Sequence, residues 1–319
     1  MRENPVQRLT RRVFPVAAAA AAVFSVSGCD YAILDPKGPI GADEKWLILF
    51  STGLMLVVVI PVTIMALAFA WRYRASNKAA VYAPNWEHSN AIEVVVWIIP
   101  CLIIATLAYF TWVSSHKLDP YRPIASRAKT VEVQVVSMDW KWLFIYPEQK
   151  IATVNELVLP VDRPVHFRLT SQSMMNTFFV PQLGSMIYTM PGMQTQLSLL
   201  AGHPGEYFGV SANFSGEGFS DMVFTTRAVE ATQFDQWVAM VRSSPKALSL
   251  SAYRDLEKPT VKVPVAYYGA IDPVVYHHAL NQCADGAPCM DDMMSRAAAA
   301  DTLGLGDRAF CDLVSLKGH

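Results

Sequence analysis

The 319-residue chain has no cysteine between Cys101 and Cys283, and it carries no large excess of charge of either sign. The cysteine-free stretch excludes any disulfide or thiolate-based metal site within it. The formal net charge of −1 gives no basis for nucleic-acid binding or for long-range electrostatic steering. Beyond short alanine runs, the sequence also lacks repeats and low-complexity tracts, which argues against a solenoid or an extended disordered chain.

Apolar residues, by contrast, are abundant at 52% of the chain. A length of this size predicts about two domains of ~150 residues each. The apolar content is too high for two soluble domains, so part of the chain is predicted to lie in a membrane.

Residues 1–28 have the order of a secretory signal: four arginines, then an apolar stretch too short to span a bilayer, then small residues. The signal ends in Val26-Ser27-Gly28-Cys29, which resembles a bacterial lipobox. That resemblance implies cleavage before Cys29 and its acylation. An ordinary signal peptide, or an uncleaved anchor followed by a chance cysteine, is the alternative.

Two long apolar runs follow the exported N-terminal segment 29–45. Residues 46–71 contain no charge, and residues 93–113 are charged only at Glu93. Each exceeds the ~20 residues that cross a bilayer, which predicts a transmembrane hairpin over residues 46–115. The loop 72–92 contains Arg72, Arg74 and Lys78, so the positive-inside rule places this loop in the cytoplasm and everything after residue 115 outside.

Beyond the hairpin, the sequence changes to short apolar or alternating runs separated by Pro and Gly. Residues 116–228 predict a β-sandwich of about eight strands. Residues 229–319 predict a C-terminal helical arm, with helical character over 232–258 in two runs, 233–245 and 248–258, followed by a mixed tail.

Three segments carry a resemblance to subunit II of the haem–copper oxidases, and the likeness covers about residues 43–260. Ser173–Pro181 resembles the family segment in which a copper-binding His precedes Ser-Phe-x-Val-Pro. Pro204–Gly209 resembles the approach to the family's metal loop, and Met138–Trp142 resembles its aromatic cluster. The implied fold is an α-helical membrane hairpin joined to an all-β, cupredoxin-like sandwich.

The resemblance also shows where the family's copper ligands would fall. In the copper-bearing branch the loop reads Cys-x-Glu-x-Cys-x-x-x-His-x-x-Met. Here Ser211 and Ser215 stand in place of the thiolates, Asn213 in place of the Glu, Phe219 and Asn176 in place of two histidines, and only Met222 is retained. Hydroxyls, amides and a phenyl ring do not bind a bridged copper pair, so no metal is expected in this chain.

Without that site, the resemblance points to the quinol-oxidising branch, typified by cytochrome bo-type ubiquinol oxidases. It implies a bacterial inner-membrane complex that oxidises ubiquinol, reduces oxygen to water and translocates protons. Haems and one copper are expected in partner subunit I, and small membrane subunits III and IV are further expected partners; cytochrome c is not. Two alternatives are a cytochrome c oxidase subunit with a degenerate copper site and a metal-handling lipoprotein.

The remaining candidates each have a structural alternative. Glu93 at the start of the second span resembles an entrance to a proton-uptake path, although an acid at a helix start is also favoured by the helix dipole. One disulfide is predicted among Cys283, Cys289 and Cys311, with its connectivity open. These cysteines, with His277, His278 and nearby methionines, are alternatively a weak copper site. Trp140 and Trp142 are expected to pack in the sandwich.

Overall fold

The computed structural model describes residues 31–81, 85 and 87–302. The predicted signal 1–28, the lipidation candidate Cys29 and Cys311 lie outside these residues. Residues 31–35, taken by themselves, contain the short 3₁₀ helix Ala32–Leu34.

Two long helices, α1 (Pro39–Arg72) and α2 (Asn90–Lys117), confirm the predicted apolar pair. Almost all of their large apolar side chains are exposed, as expected for helices that face lipid or partner chains rather than a core of their own. At 1.5 Å per residue α1 is about 50 Å long, so it extends beyond the ~30 Å hydrocarbon layer. It begins seven residues before the predicted span, at a proline that suits the first turn of a helix.

The start of α1 is joined directly to the β domain. Lys37 N donates to Gln182 O at 2.7 Å, and Gly202 N donates to Lys37 O at 2.7 Å. A Cβ at Gly38 would lie 2.3 Å from the carbonyl oxygen of Leu200. Glycine is therefore required there by the close approach of the two backbones.

The β domain is a sandwich of two sheets. Its ten strands are β1 (Val131–Met138), β2 (Lys141–Tyr146), β3 (Ile151–Val154), β4 (Glu156–Pro160), β5 (Val165–Ser171), β6 (Asn176–Phe179), β7 (Ile187–Thr189), β8 (Thr195–Leu199), β9 (Gly205–Ser211) and β10 (Val223–Val229). One sheet has the order β3-β2-β1-β5-β8, and the other has β4-β10-β9-β6-β7. The predicted sandwich is confirmed, with more strands than expected.

The interior between the sheets is rich in aromatic rings. Trp142 contacts Phe178 and Phe224 at centroid distances of 5.7 and 5.5 Å. Phe178 and Phe224 themselves stack at 5.2 Å. Each fully buried ring of this kind contributes about 1.5–3 kcal/mol through removal of apolar surface from water.

After β10 the chain forms an arm that folds back over the first sheet. Its elements are α3 (Ala231–Arg242), β11 (Ala247–Leu248), α4 (Leu250–Glu257), β12 (Ala266–Tyr268), β13 (Ala270–Ile271), α5 (Val275–Leu280) and α6 (Met290–Thr302). β12 pairs antiparallel with β3 and so becomes the sixth strand of that sheet. Leu143 and Ile145 of β2 are buried in a second core beneath Leu248, Tyr253 and Tyr276 of the arm.

The helical region predicted over 232–258 is divided into α3 and α4, as its two runs indicate, and Pro245, which follows two serines, cannot continue the hydrogen-bonding ladder between them. The described part of the tail, for which the sequence predicted no particular structure, packs against the sandwich and covers the apolar outer face of β1, β2 and β3.

Candidate functional site

The positions that the resemblance aligns with the family's copper ligands converge at one end of the sandwich. Asn176 begins β6, Ser211 ends β9, and the loop 212–222 connects β9 to β10. β6 and β9 pair antiparallel, which places Asn176 beside the start of the loop. Asn176, Ser211, Ser215 and Met222 are all buried, whereas Asn213 and Phe219 are partly exposed.

Hydrogen bonds among these residues hold the loop in shape. Ser211 Oγ donates to Asn176 Oδ1 at 3.2 Å, and Asn213 Nδ2 donates to Met175 O at 3.0 Å. Ser215 Oγ lies 3.9 Å from Met222 Sδ, a weak acceptor. The side chains that replace the ligands therefore satisfy one another and the backbone.

Trp140 covers this loop from the turn between β1 and β2. Its Nε1 donates to Ser215 O at 3.0 Å, and a Cβ at Gly218 would meet the ring at 2.4 Å. Trp140 has a φ of 62°, an uncommon conformation for a non-glycine residue. Trp142, by contrast, points into the core. Both tryptophans pack in the sandwich as expected: Trp142 lies inside the core, and Trp140 is half-buried against its edge, where the turn places it over the loop.

The donor set at the loop does not fit a bridged copper pair. Such a site needs soft, anionic sulfur bridges and imidazole nitrogens. The ligand-register positions offer two hydroxyls, two amides, one phenyl ring and one thioether. His166, which lies 3.3 Å from Ser198 Oγ on β8, is a strand residue outside this register.

Glu93 lies in the first turn of α2, far along the chain from the loop, and its side chain is about half exposed. His88 Nε2 is 3.5 Å from Glu93 Oε2. A carboxylate is favoured at this position by the positive end of the helix dipole, and the neighbouring imidazole supplies a second titratable group.

The cysteines of the arm form a separate cluster. Cys283 and Cys289 are joined by a disulfide, with their Cα atoms 4.8 Å apart. His278 Nδ1 lies 3.3 Å from Cys283 Sγ, and His277 Nε2 lies 2.9 Å from Asp291 Oδ2. The hydrogen bond from His277 holds the pKa of Asp291 below its usual range. Cys101, on α2, is a free thiol.

Sequence reasoning missed the residue that joins the arm to the loop end of the sandwich. The amine of Lys141 is buried and donates to Lys258 O at 2.9 Å and Thr260 Oγ1 at 2.7 Å. Burial lowers its pKa, while the nearby Asp139 acts in the opposite direction. The only signal in the sequence was a charged residue opening the apolar run of β2.

Comparison with known proteins identifies the architecture. Residues 129–229 match the family model described as the periplasmic domain of cytochrome c oxidase subunit II, and residues 242–287 match the oxidase aromatic-rich motif. The periplasmic domain of a cytochrome oxidase subunit II from Bradyrhizobium japonicum aligns with 37% of this chain and 96% of its own, at 21% identity and a TM-score of 0.35, which is too loose to bear on the site.

Other relatives are more similar in sequence than this structure and cover most of the chain. The cytochrome bo(3) ubiquinol oxidase subunit 2 of Pseudomonas aeruginosa is 54% identical over 81% of this chain and 78% of its own length. The ubiquinol oxidase subunit 2 of Acetobacter aceti is 51% identical over 85% of this chain and 88% of its own. Two apolar helices followed by a cupredoxin-like periplasmic domain define the class as subunit II of a terminal oxidase. Within that class, the chain belongs to the ubiquinol oxidase subunit 2 family.

Proposed function

We propose that this chain is the subunit II of a proton-translocating ubiquinol oxidase and that it carries no redox centre of its own. The observation that supports this most strongly is the hydrogen-bonded set at the former ligand positions, in which Ser211 is bonded to Asn176 and Ser215 faces Met222. Serine hydroxyls are not bridging anions near neutral pH, so the loop has no means of holding a copper pair.

The electron donor follows from that chemistry. In the copper-bearing branch, cytochrome c passes its electrons to the copper pair of subunit II. A loop of hydroxyls and amides offers no such relay, so electrons enter from ubiquinol within the membrane. The haems and the single copper that reduce oxygen belong to subunit I, and small membrane subunits III and IV complete the complex. The role of the exported sandwich is then structural, in assembly and docking.

Purified complex tested with both donors separates this proposal from its nearest rival. We expect oxygen consumption with a soluble ubiquinol and none with reduced cytochrome c. Turnover with cytochrome c alone would instead assign the chain to a cytochrome c oxidase with a degenerate site. A metal-handling lipoprotein, the third candidate, predicts purification without any haem-bearing subunit, which the reduced-minus-oxidised spectrum of the preparation tests directly.

Glu93 is proposed to collect protons at the cytoplasmic entrance of an uptake path into subunit I. Its support is the exposed carboxylate at the start of α2, with His88 3.5 Å away. In the assembled complex, Glu93→Gln is expected to lower both turnover and proton pumping. Glu87→Gln, an exposed carboxylate a few residues earlier, is the matched control. Undiminished turnover and pumping in Glu93→Gln would remove this role.

The N-terminal cysteine is proposed to anchor the mature chain to the inner membrane. The support is the lipobox-like sequence ending at Cys29. Intact-mass measurement of the purified subunit is expected to show loss of residues 1–28 and added acyl mass, and Cys29→Ser to abolish both. An uncleaved N-terminus in the protein that retains Cys29 would contradict lipidation.

A further inference from the structure

The arm holds four metal-ligating side chains that the oxidase function does not use. His277 and His278 lie on α5, and Cys283 and Cys289 follow it closely. The ligating atoms of His277, Cys283 and Cys289 all lie within 4.8 Å of one another. The second histidine, through His278 Nδ1, is 3.3 Å from Cys283 Sγ. A disulfide that served only as a staple would need neither imidazole.

The backbone around these residues is fixed independently of the disulfide. Cys283 N donates to His278 O at 3.1 Å, and Met290 N donates to Asn281 O at 3.1 Å. Tyr276 Oη donates to Gln194 Oε1 at 3.2 Å, which ties α5 to the sandwich. Opening the S–S bond would therefore leave both sulfurs and both imidazoles close together.

The geometry points to a redox-gated metal site: we propose that, once the Cys283–Cys289 disulfide is reduced, the two thiolates and His277, with His278 beside them, bind one thiophilic d¹⁰ cation such as Zn²⁺ or Cu⁺. Two thiolates and two imidazoles form a common tetrahedral zinc set, and sulfur ligands equally suit Cu⁺. Asp291 is hydrogen-bonded to His277, and a carboxylate in this position commonly orients a metal-bound imidazole.

The chemistry balances with a dithiol reductant, which is the co-reactant. The S–S bond of the protein breaks, each sulfur receives one electron and one proton, and the two sulfurs of the reductant join. On binding the cation, each protein thiol releases its proton and forms a metal–sulfur bond. In the oxidising periplasm the disulfide is the resting form, so the site takes up metal only after reduction.

The test uses the purified oxidase complex with Cys101→Ser and Cys311→Ser in this chain, which leaves Cys283 and Cys289 as its candidate thiols when Cys29 is acylated as proposed above. The preparation is divided into two samples, and one sample is reduced with a water-soluble phosphine, which takes oxygen from water as the disulfide opens. Both samples are then given Zn²⁺ together with a competing chelator. We expect one additional zinc per complex after reduction, measured by mass spectrometry of the metal. X-ray absorption should show two sulfurs at about 2.3 Å and nitrogen at about 2.0 Å.

Variants establish which side chains hold the zinc. Cys283→Ser/Cys289→Ser should lose the additional zinc, and His277→Ala should weaken binding at least tenfold. Asp291→Asn should weaken it by about tenfold, as for other partners of a ligating histidine. His166→Ala, which removes a histidine of β5 outside the Cys283–Cys289 cluster, is the control and should bind zinc as the parent does. Equal zinc in the reduced and unreduced complex, or a metal shell without sulfur, overturns the proposal whether or not these further variants fold.

Discussion

The two most informative regions of the exported domain are stabilised in different ways. At one end of the sandwich, the loop 212–222 is held by a few polar contacts such as Ser211 to Asn176. On the outer face of β1, β2 and β3, the arm buries a second apolar core. The loop carries the positions that the resemblance aligns with the family's metal ligands, and side-chain hydrogen bonds rather than a large apolar core hold it. Substitutions in the loop are therefore expected to cost less stability than substitutions beneath the arm.

The largest expected effect tests the arm. Leu143 is fully buried between β2 and the arm, so Leu143→Ala removes apolar contacts and leaves a cavity. We expect a loss of about 2–5 kcal/mol in the free energy of unfolding. The measurement is urea unfolding of the detergent-solubilised full-length chain, followed by tryptophan fluorescence.

The control for this change is Leu143→Met, which keeps the volume and should cost less than about 1.5 kcal/mol. If Leu143→Ala cost no more than Leu143→Met, the arm would not be part of the domain's cooperative core, and the contrast between the two regions would fail.

The class of fold could be predicted from the sequence because it depends on local pattern, since uncharged runs longer than a bilayer is thick indicate spanning helices. The ligand register, by contrast, is what the resemblance to the oxidase family implies, and it assigns Ser215 and Met222 to the loop that follows Ser211. The structure brings Asn176 to that loop because β6 pairs with β9.

The covering of β2 by the arm could not be predicted in the same way. The run Lys141–Tyr146 has no alternation, and such a run indicates burial on both faces without saying what provides it. The partner is β12 with its neighbours, more than a hundred residues later, and short strands of two or three residues carry no periodicity. The placement of Trp140 over the loop depends on a positive φ, which no residue preference at that position reveals.

A second prediction concerns Lys141, which links the sandwich to the arm. Lys141→Met leaves Lys258 O and Thr260 Oγ1 without their buried donor, so we expect a loss of about 2–3 kcal/mol. Because burial lowers the pKa of Lys141 below its ordinary 10.5, the unfolded chain binds more protons between the two pKa values. The unfolding free energy of the unmodified chain should therefore increase relative to that of Lys141→Met as the pH rises across that window.

Urea midpoints measured at neutral pH and at several alkaline values check this slope. Lys246→Met, an exposed lysine on the arm, serves as the control and should keep the slope of the unmodified chain. An identical pH profile in Lys141→Met would mean that the amine titrates alike in the folded and unfolded states.

The third prediction lies where the two regions meet. Gly218 of the loop is covered by Trp140 and by Val261 of the arm, and a Cβ there would approach both within 2.5 Å. Gly218→Ala should displace one of them and cost about 1–3 kcal/mol. Gly53→Ala is the comparison, since nothing lies within 4 Å of a Cβ at that position. A neutral Gly218→Ala would show that the loop moves freely beneath the tryptophan.

The smallest expected effect comes from comparing the stability costs of alanine substitutions at Ser211 and Ser215. Ser215 Oγ has only the thioether of Met222 at 3.9 Å as its side-chain partner among the described residues, so Ser215→Ala should change stability by less than about 0.5 kcal/mol. Ser211→Ala should cost about 1–3 kcal/mol, because it deprives the buried Asn176 Oδ1 of its donor. Equal costs in the urea midpoints would mean that the loop is held by its backbone alone. Unequal costs would show that Ser211 contributes a structural hydrogen bond while Ser215 only fills space.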